Sequence, residues 1–549
     1  MPTPRAIKID PRDNAAVALR DLARGDTVQV ADIHYQLSTP VGAKHKFACE
    51  NLPAGGPVRL YGTLVGETTR PVIRGESLTT DNLVHRAESF AWQNTIPDWT
   101  PPNITKFDKL TFDGFHRADG SVGTANVWIV LPMVFCENRN VDLMRQALNR
   151  ALGTHPAAPY EQFAQTLAQA AKNGASPSDL RTTPFPTPPR ARSKSESGGA
   201  LVKFLSHGLG CGGTRDDAQT LCGLLAGYVT HPNVAGATIL SLGCQNAEVA
   251  LLEKEILRRR PQFEKPLLIF EQQKYPSETQ LMTEAIRETF IGLTEAARLQ
   301  RKPAPLSKLS IGVECGASDG FSGISANPAI GHAADLTVAL GGKAILSEFP
   351  ELCGAEQNLI DRCISPEVAE KFIGLMQAYA DRAEALGSAL HMNPSPGNIR
   401  DGLITDAIKS AGAAKKGGTS PVVDVLDYPG QAALPGLTLL CTPGNDVEST
   451  TALAAAHANL ILFSTGLGTP TGNPVTPVIK VSSNTQTATK HADLIDFDTG
   501  PILTEGQSIE QAGAKLLSLA LQVASGQTQT KATLLAQDDF LPWKRGVSL

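Results

Sequence analysis

Apolar and polar positions alternate over short runs up to about Ala91, as in TVQV at 27–30 and PVRLY at 57–61, with glycine breaks at Gly55, Gly56 and Gly66. Period-two alternation bounded by turn residues predicts strands, so a small β-rich domain is expected over 1–91. The stretch Trp92–Pro102 carries Pro97, Pro101 and Pro102 and reads as an extended linker, drawn over 92–109. From about Leu110 the texture changes. Runs such as ALVKFLSH at 200–207, ATILSLGC at 237–244, PLLIFE at 266–271 and NLILFST at 459–465 end in Gly, Cys, His, Glu or Thr and lead into helix-compatible segments. That rhythm predicts two α/β domains with largely parallel sheets, over 110–390 and 391–549, their binding loops at the C-terminal ends of the strands. Residues 173–199, with Pro177, Pro184, Pro186, Pro188 and Pro189 ahead of Ser193, Ser195 and Ser197, break the rhythm and read as a mobile surface insertion.

Composition narrows the function. The 549 residues carry 42% hydrophobic and 19% charged positions, the balance of a globular protein, and exceed what one core organises. With a formal net charge of −5 and 5% aromatic residues, neither a nucleic acid nor an anionic membrane surface is expected as a partner. No apolar run approaches the roughly 20 residues that span a bilayer, and MPTPRAIKID holds no apolar signal core, so a cytoplasmic enzyme is expected. Nine cysteines without such a signal read as reduced thiols, free to be ligands, nucleophiles or core residues.

Reactive side chains gather where the apolar runs end. Cys136 follows VWIVLPMVF; His207, Cys211 and Arg215 lie in HGLGCGGTRDD; Cys244 lies in LGCQN. Glu314, Cys315, Ser318, Asp319 and Asn327 lie in GVECGASDGFSGISANPAIG (312–331), and Glu348 and Glu351 in LSEFPELCGAE. On neighbouring parallel strands these turns would converge on one rim, where thiolate, imidazole and carboxylate could share a metal. Any one such cysteine is as readily a small core residue. No CxxC pair and no GxxxxGK[ST] occurs, which sets aside a zinc ribbon and a P-loop. Asn398 in NPSPGN and Asn445 and Asp446 in TPGND sit where side chains cap helices or bind a hydroxyl-rich ligand. Asp13 and Asn14, ahead of AAVAL, read first as a helix N-cap. His45 and Lys46 in AKHKFA pair an imidazole with an ammonium.

Taken in order, DNAAVALRDL, AKHKFA, DGSVGTAN, HGLGCG, LGCQN, GVECGASDGFSGISANPAIG, LSEFPELCGAEQ, NPSPGN, PGNDVESTTAL, STGLGTPTG and IDFDTG resemble the altronate and galactarate dehydratase family from Asp13 to Gly500. The resemblance implies an N-terminal β-clip domain of the SAF type joined to two α/β domains. It implies elimination of water from a sugar acid to a 2-keto-3-deoxy acid with dependence on Fe(2+), with Mn(2+) or an iron–sulfur cluster as alternatives. The related sulfolactate sulfo-lyases eliminate sulfite instead. The chain departs from the family pattern at Asp10 (where members carry His), Ala125 and Leu467 (Arg), Gln245 (Glu) and Ala413 (Cys). Loss of two guanidiniums removes bidentate carboxylate donors and bears on which acid is bound.

Such an elimination needs a base for the proton α to a carboxylate, a Lewis acid, and a group to protonate the departing oxygen. His45, Lys46, Glu314 and Asp319 are the expected catalytic groups, with Lys46 or His45 reaching in from the N-terminal domain. Cys136, His207, Cys211, Cys244 and Cys315 are the expected metal ligands. Asp13, Asn14, Asn126, Arg215, Ser318, Asn327, Glu348, Asn398, Asn445 and Asp446 are expected to contact a small hydroxy-acid substrate, and a homodimer is the expected assembly. Two other readings stay open: β-elimination from a sulfonated hydroxy acid, and a sugar-acid-binding member without turnover.

Overall fold

The computed structural model describes residues 4–93, 97–154, 158–185 and 200–549. Its N-terminal part is built from short antiparallel strands. Ala6–Ile7, Ala15–Ala18, Lys46–Ala48 and Ser77–Leu78 form one sheet in that order; Thr27–Val30 pairs with Ile33–Gln36; and Pro57–Leu60, Thr63–Thr68 and Leu83–Val84 form another. AAVA at 15–18 favours a helix on local propensity, yet all four residues are buried in a strand flanked on both edges. The expected helix cap at Asp13 and Asn14 is therefore absent. Asp13 instead accepts hydrogen bonds from the backbone N–H groups of Asp10 (2.9 Å) and Gly62 (2.7 Å), and Asn14 ties Glu50, Pro57 and Arg59 together.

Two parallel sheets follow. The first has the order Leu201–Phe204, Val127–Pro132, Val234–Ser241, Leu267–Glu271. Val234–Ser241 is buried along its whole length, as expected of a parallel strand covered on both faces. The second has seven strands: Val422–Leu426, Gly436–Leu440, Lys343–Leu346, Ser310–Gly316, Leu460–Thr465, Val478–Ser482, Phe497–Asp498. Ser310–Gly316 pairs with Lys343–Leu346 on one side and Leu460–Thr465 on the other, so a domain division at residue 390 would cut through this sheet. The change of sheet falls instead between Glu271 and Ser310, because pairing between distant strands, not sequence proximity, defines the layer.

Helices Ala326–Ala339 and Ile509–Ala524 pack on one face of the seven-stranded sheet, burying Ile330, Ala333, Leu516 and Ala520 against Ile311, Val313 and Leu462. Helices Arg215–Thr230 and Asp446–Ala455 cover the other face, with Leu224, Tyr228 and Leu453 packed near Ile345, Ile461 and Phe463. The N-terminal domain docks through Tyr61 and Val65 onto Phe321, Ile324, Leu403, Ala407 and Ile408, so it sits against the glycine-rich turn after Gly316. Of the expected insertion at 173–199, residues 186–199 lie outside the described residues; ahead of them, Pro177–Arg181 is a short helix with a Ser176 and Asp179 capping box. No helix among the described residues is long and apolar enough to cross a membrane.

Candidate active site

The C-terminal end of Ser310–Gly316 meets the ends of its neighbours in a buried cluster of charge. Glu314 and Cys315 close that strand, Ser347 and Glu348 follow Lys343–Leu346, Thr442 follows Gly436–Leu440, and Asp446 opens the helix Asp446–Ala455. Glu314 Oε2 accepts hydrogen bonds from Ser347 Oγ (2.8 Å) and Ser449 Oγ (2.6 Å). Glu348 Oε2 accepts from the Cys315 backbone N–H (3.2 Å) and from Lys416 Nζ (2.5 Å), while the Glu348 backbone N–H donates to Thr442 Oγ1. Lys416 Nζ also lies 2.8 Å from Cys315 Sγ, and Lys409 Nζ donates to Glu351 Oε1 at 2.7 Å. Glu351 Oε2 is 3.3 Å from the Cys315 sulfur.

Four carboxylates thus face two ammonium groups in a region where Glu314 and Glu348 are fully buried and Glu351 is 4% exposed. Glu314 is pushed well above the usual carboxylate range, first by burial and then by the charge of Glu348. Glu348 is raised by burial even against Lys416. In Glu351 the burial penalty is outweighed by Lys409 and Lys416, which hold it below its ordinary value. Burial, reinforced by Glu348 and Glu351, lifts Asp446 to about 7. Lys416 is raised far above an ordinary lysine because Cys315, Glu348, Glu314 and Glu351 outweigh its burial.

Two oxygens in this cluster, Glu314 Oε1 and Glu348 Oε1, are buried and receive no hydrogen bond from any other side chain or backbone group, the two carboxyls lying close enough to share a proton between them. Glu314, Glu348 and Asp446 each offer an oxygen within 4.8 Å of the others. Unpaired buried carboxylate oxygens are costly, so this donor set fits a hard divalent cation, which takes oxygen ligands and would offset the surplus negative charge. A second group, Cys315 with Glu348 and Glu351, has the same spacing, but Lys416 already occupies it through both the thiol and Glu348. A single thiol committed to an ammonium does not fit an iron–sulfur cluster at this place.

The N-terminal domain meets the cluster's flank through Lys44, whose Nζ lies 3.1 Å from Asp319 Oδ2 and 2.8 Å from Asp401 Oδ1. Lys44 adopts φ 73°, a left-handed conformation that is uncommon in a residue with a side chain. Asp319 is otherwise held by Ser322, Ser483 and Asn484. Lys46, expected to reach in as acid or base, is instead sealed at 1% exposure, donating to the carbonyls of Lys44 and Gly402; burial lowers it to about 7. His45 contacts the Arg400 carbonyl (3.0 Å). The pair therefore joins domains, and the cation that reaches Asp319 is their neighbour.

Other expectations separate along the fold. His207 spends both ring nitrogens on backbone, Nε2 with the Pro132 carbonyl and Nδ1 with the Leu209 N–H, and burial lowers it to about 4; as placed it has no nitrogen left for a metal. Cys136, Cys211 and Cys244 lie on the rim of the four-stranded sheet, away from Cys315. Asn126 is buried between the Ala296 carbonyl and Arg117 just before Val127–Pro132, at the opposite end of the strand from Cys136, and is structural. Asn398 completes a capping box with Ser395 and donates to the Ser318 carbonyl; Asn445 caps Asp446–Ala455. Asn327 binds Gly412 and Ser464 inside the core, and Arg215 is exposed and donates to Asn246. Lys409 and Lys416, central to the cluster, escaped sequence reasoning. The available signal was the run AIKSAGAAKKGG, whose three lysines, of which Lys409 and Lys416 are buried, stand among small and apolar residues where a buried charge needs a partner.

Gly331 positions one of them. A Cβ there would lie 2.1 Å from the Lys415 carbonyl oxygen and 2.9 Å from the Gly418 N, both backbone atoms of the turn that carries Lys416. Gly331→Ala is expected to cost about 1–3 kcal/mol of stability and, by shifting Lys416, to lower turnover at this site by roughly 10²-fold. Denaturant unfolding beside steady-state kinetics checks both; unchanged turnover would show that the turn does not need its present position.

Three family models match the chain end to end in sequence order. They are the altronate/galactarate dehydratase SAF domain over residues 4–86, the D-galactarate dehydratase/altronate hydrolase second domain over 114–297, and the D-galactarate/altronate dehydratase C-terminal region over 306–548. The chain is 31% identical to the altronate dehydratase of Bacillus subtilis over 481 residues and 33% identical to that of Escherichia coli over 474, covering 86% of each chain in both cases. It is 28% identical over 538 residues to the galactarate dehydratase (L-threo-forming) of Escherichia coli, covering 96% of this chain and 94% of that one.

Proposed function

We propose, from the premise that this chain belongs to the D-galactarate/altronate dehydratase family, that it is a hydro-lyase removing water from a sugar acid or related hydroxy acid to give a 2-keto-3-deoxy acid. The observation that carries the placement of the chemistry is the pair of buried oxygens that no other group donates to, Glu314 Oε1 and Glu348 Oε1, gathered with Asp446 at the end of the central strands. Glu314 and Glu348 would hold Fe(2+), or Mn(2+) in its stead, which would supply a Lewis acid there, with Asp446 beside them left free to take up a proton.

The remaining residues divide the work. Asp446, at the less enclosed side of the cluster, is the base for the proton at the carbon next to the substrate carboxylate. Lys416 and Lys409, buried and protonated, stabilise the negative charge that develops on the substrate as that proton leaves. The neighbouring hydroxyl then departs as water, carrying the proton that Asp446 took up, and the enol that remains becomes the 2-keto acid. Lys44, bound to Asp319 and Asp401, fastens the N-terminal domain over the flank of the site and so limits water's access.

The test is purified protein, kept anaerobic and supplied with Fe(2+) or Mn(2+), offered altronate, galactarate, other aldonates and aldarates, and sulfolactate. Formation of 2-keto acid from an aldonate or aldarate is expected. Release of sulfite from sulfolactate would move the chain to carbon–sulfur elimination. Tight binding of a sugar acid with no product from any substrate would make it a binding protein.

A further inference from the structure

We propose that a second, sulfur-lined site exists on the four-stranded sheet, where Cys136, Cys211 and Cys244 hold a four-iron iron–sulfur cluster through three thiolates. It takes up three of the five cysteine and histidine ligands expected from the sequence, at a place apart from the carboxylate cluster, and uses none of the residues of that cluster. Of the nine cysteines, these three are the exposed ones, although free cysteine is among the most buried residue types. They are also grouped. Each lies just beyond one of three adjacent parallel strands, Cys136 after the central Val127–Pro132, Cys211 after Leu201–Phe204 and Cys244 after Val234–Ser241.

The loops that carry them are locked to one another. The Phe135 N–H donates to the Leu209 carbonyl (3.0 Å), the Met133 N–H to Leu240 (2.8 Å) and the Ala247 N–H to Gly210 (3.1 Å). Two of the loops repeat the tripeptide Leu-Gly-Cys, at 209–211 and 242–244, and in both the glycine has φ 103°, which only glycine adopts readily. At Gly210 a Cβ would lie 2.2 Å from the Met133 carbonyl oxygen, so the loop can approach the central strand only without a side chain. Two cysteines are thereby presented by the same backbone device on either side of the strand that leads to the third. None of the three thiols has a hydrogen-bond partner among the described residues.

Geometry selects the occupant. The three sulfurs are not all within 4.8 Å of one another, whereas a zinc ion with Zn–S ~2.3 Å in a tetrahedron draws its sulfurs to about 3.8 Å apart. A four-iron cluster binds each cysteine through a different iron and suits a wider triangle. His207, the nearest imidazole in sequence, is excluded as a fourth ligand by its two backbone hydrogen bonds. One iron is therefore left for water or for an oxygen of a small acid, beside a cavity of about 250 Å³ lined by Cys211, Asn246, Lys544 and Leu549.

The full-length protein is incubated anaerobically with equal parts of ferrous and ferric iron and with sulfide, desalted, and analysed for iron, acid-labile sulfide, visible absorption and the paramagnetic signal after dithionite reduction. About four iron and four sulfide per chain are expected, with three fewer thiols open to an alkylating dye than in the untreated protein. Cys136→Ser, Cys211→Ser and Cys244→Ser should each fall to background, while Cys49→Ser and Glu348→Gln keep the full cluster. Thermal melts establish that the serine variants are folded, as their exposed positions lead one to expect. Iron without sulfide, a cluster that survives the triple substitution, or no uptake at all would overturn the proposal, and each of these leaves the dehydratase reading standing. Conversely, an intact cluster in a protein inactive on every acid would sink that reading alone.

Discussion

Glu348→Gln is expected to lower turnover on the enzyme's sugar acid by about 10³-fold while leaving the protein folded. Glu348 is the one residue shared by both groups of metal-capable side chains, and it receives Lys416, the Cys315 N–H and the Cys315 thiol on a single oxygen. Its backbone sits at φ 67° and ψ 60°, a left-handed conformation held only where the surroundings over-determine it. Glutamine keeps the volume but carries no charge, so a cation between Glu314 and Glu348 loses half its protein anions. Lys416 keeps a hydrogen-bond acceptor but not its ion partner. Steady-state kinetics with metal in excess reads the effect. A fall confined to KM, or a kcat within tenfold of the parent, would place the chemistry elsewhere.

Lys416→Met should be the most destabilising single change in the C-terminal region, by about 3–5 kcal/mol, because it leaves buried carboxylate without its counter-charge. Lys416 is 1% exposed and touches Glu348 and Cys315. For a domain of this size the loss corresponds to a melting temperature lower by roughly 10 °C. The double variant Lys416→Met with Glu348→Gln removes both charges and should recover more than half of that loss, since an uncompensated charge, not the missing contact, dominates the cost. Calorimetry on the four proteins of this cycle decides the matter. If the double variant is as unstable as the sum of the two single changes, the pair is not coupled and the account of the cluster fails.

The parts of the fold that could be read directly were those set by local pattern. The runs at 237–244 and 459–465 are strands of parallel sheets because a continuous apolar stretch closed by Gly or Thr suits a strand buried on both faces, while the run at 266–271 became the half-buried edge strand of its sheet. Where the same local rules were ambiguous, context overrode them. AAVA at 15–18 and the dipeptide Asp13-Asn14 carry a helix signal, yet neighbours on both edges make them strand and turn. The division at residue 390 failed for a similar reason, since the pairing of Ser310–Gly316 with Leu460–Thr465 bridges 150 residues that no local pattern connects.

Among the functional residues, identity was legible and partnership was not. Glu314, Cys315, Glu348 and Asp446 could be singled out because each is a reactive group at the end of an apolar run or the head of a helix, and they do converge. Lys409 and Lys416 were not, because a lysine's one-dimensional surroundings do not reveal that its ammonium will be buried against glutamates from other strands. Within AKHKFA, His45 and Lys46 drew attention while Lys44 makes the contact with Asp319, a choice made by a left-handed backbone at that one position. By itself, then, the sequence determined the classes of layer, the strand ends that carry chemistry and the family. Only the tertiary structure decided which of those ends meet, because strand order and register bring together side chains far apart in the chain, and burial, a property of the whole fold, sets their charge.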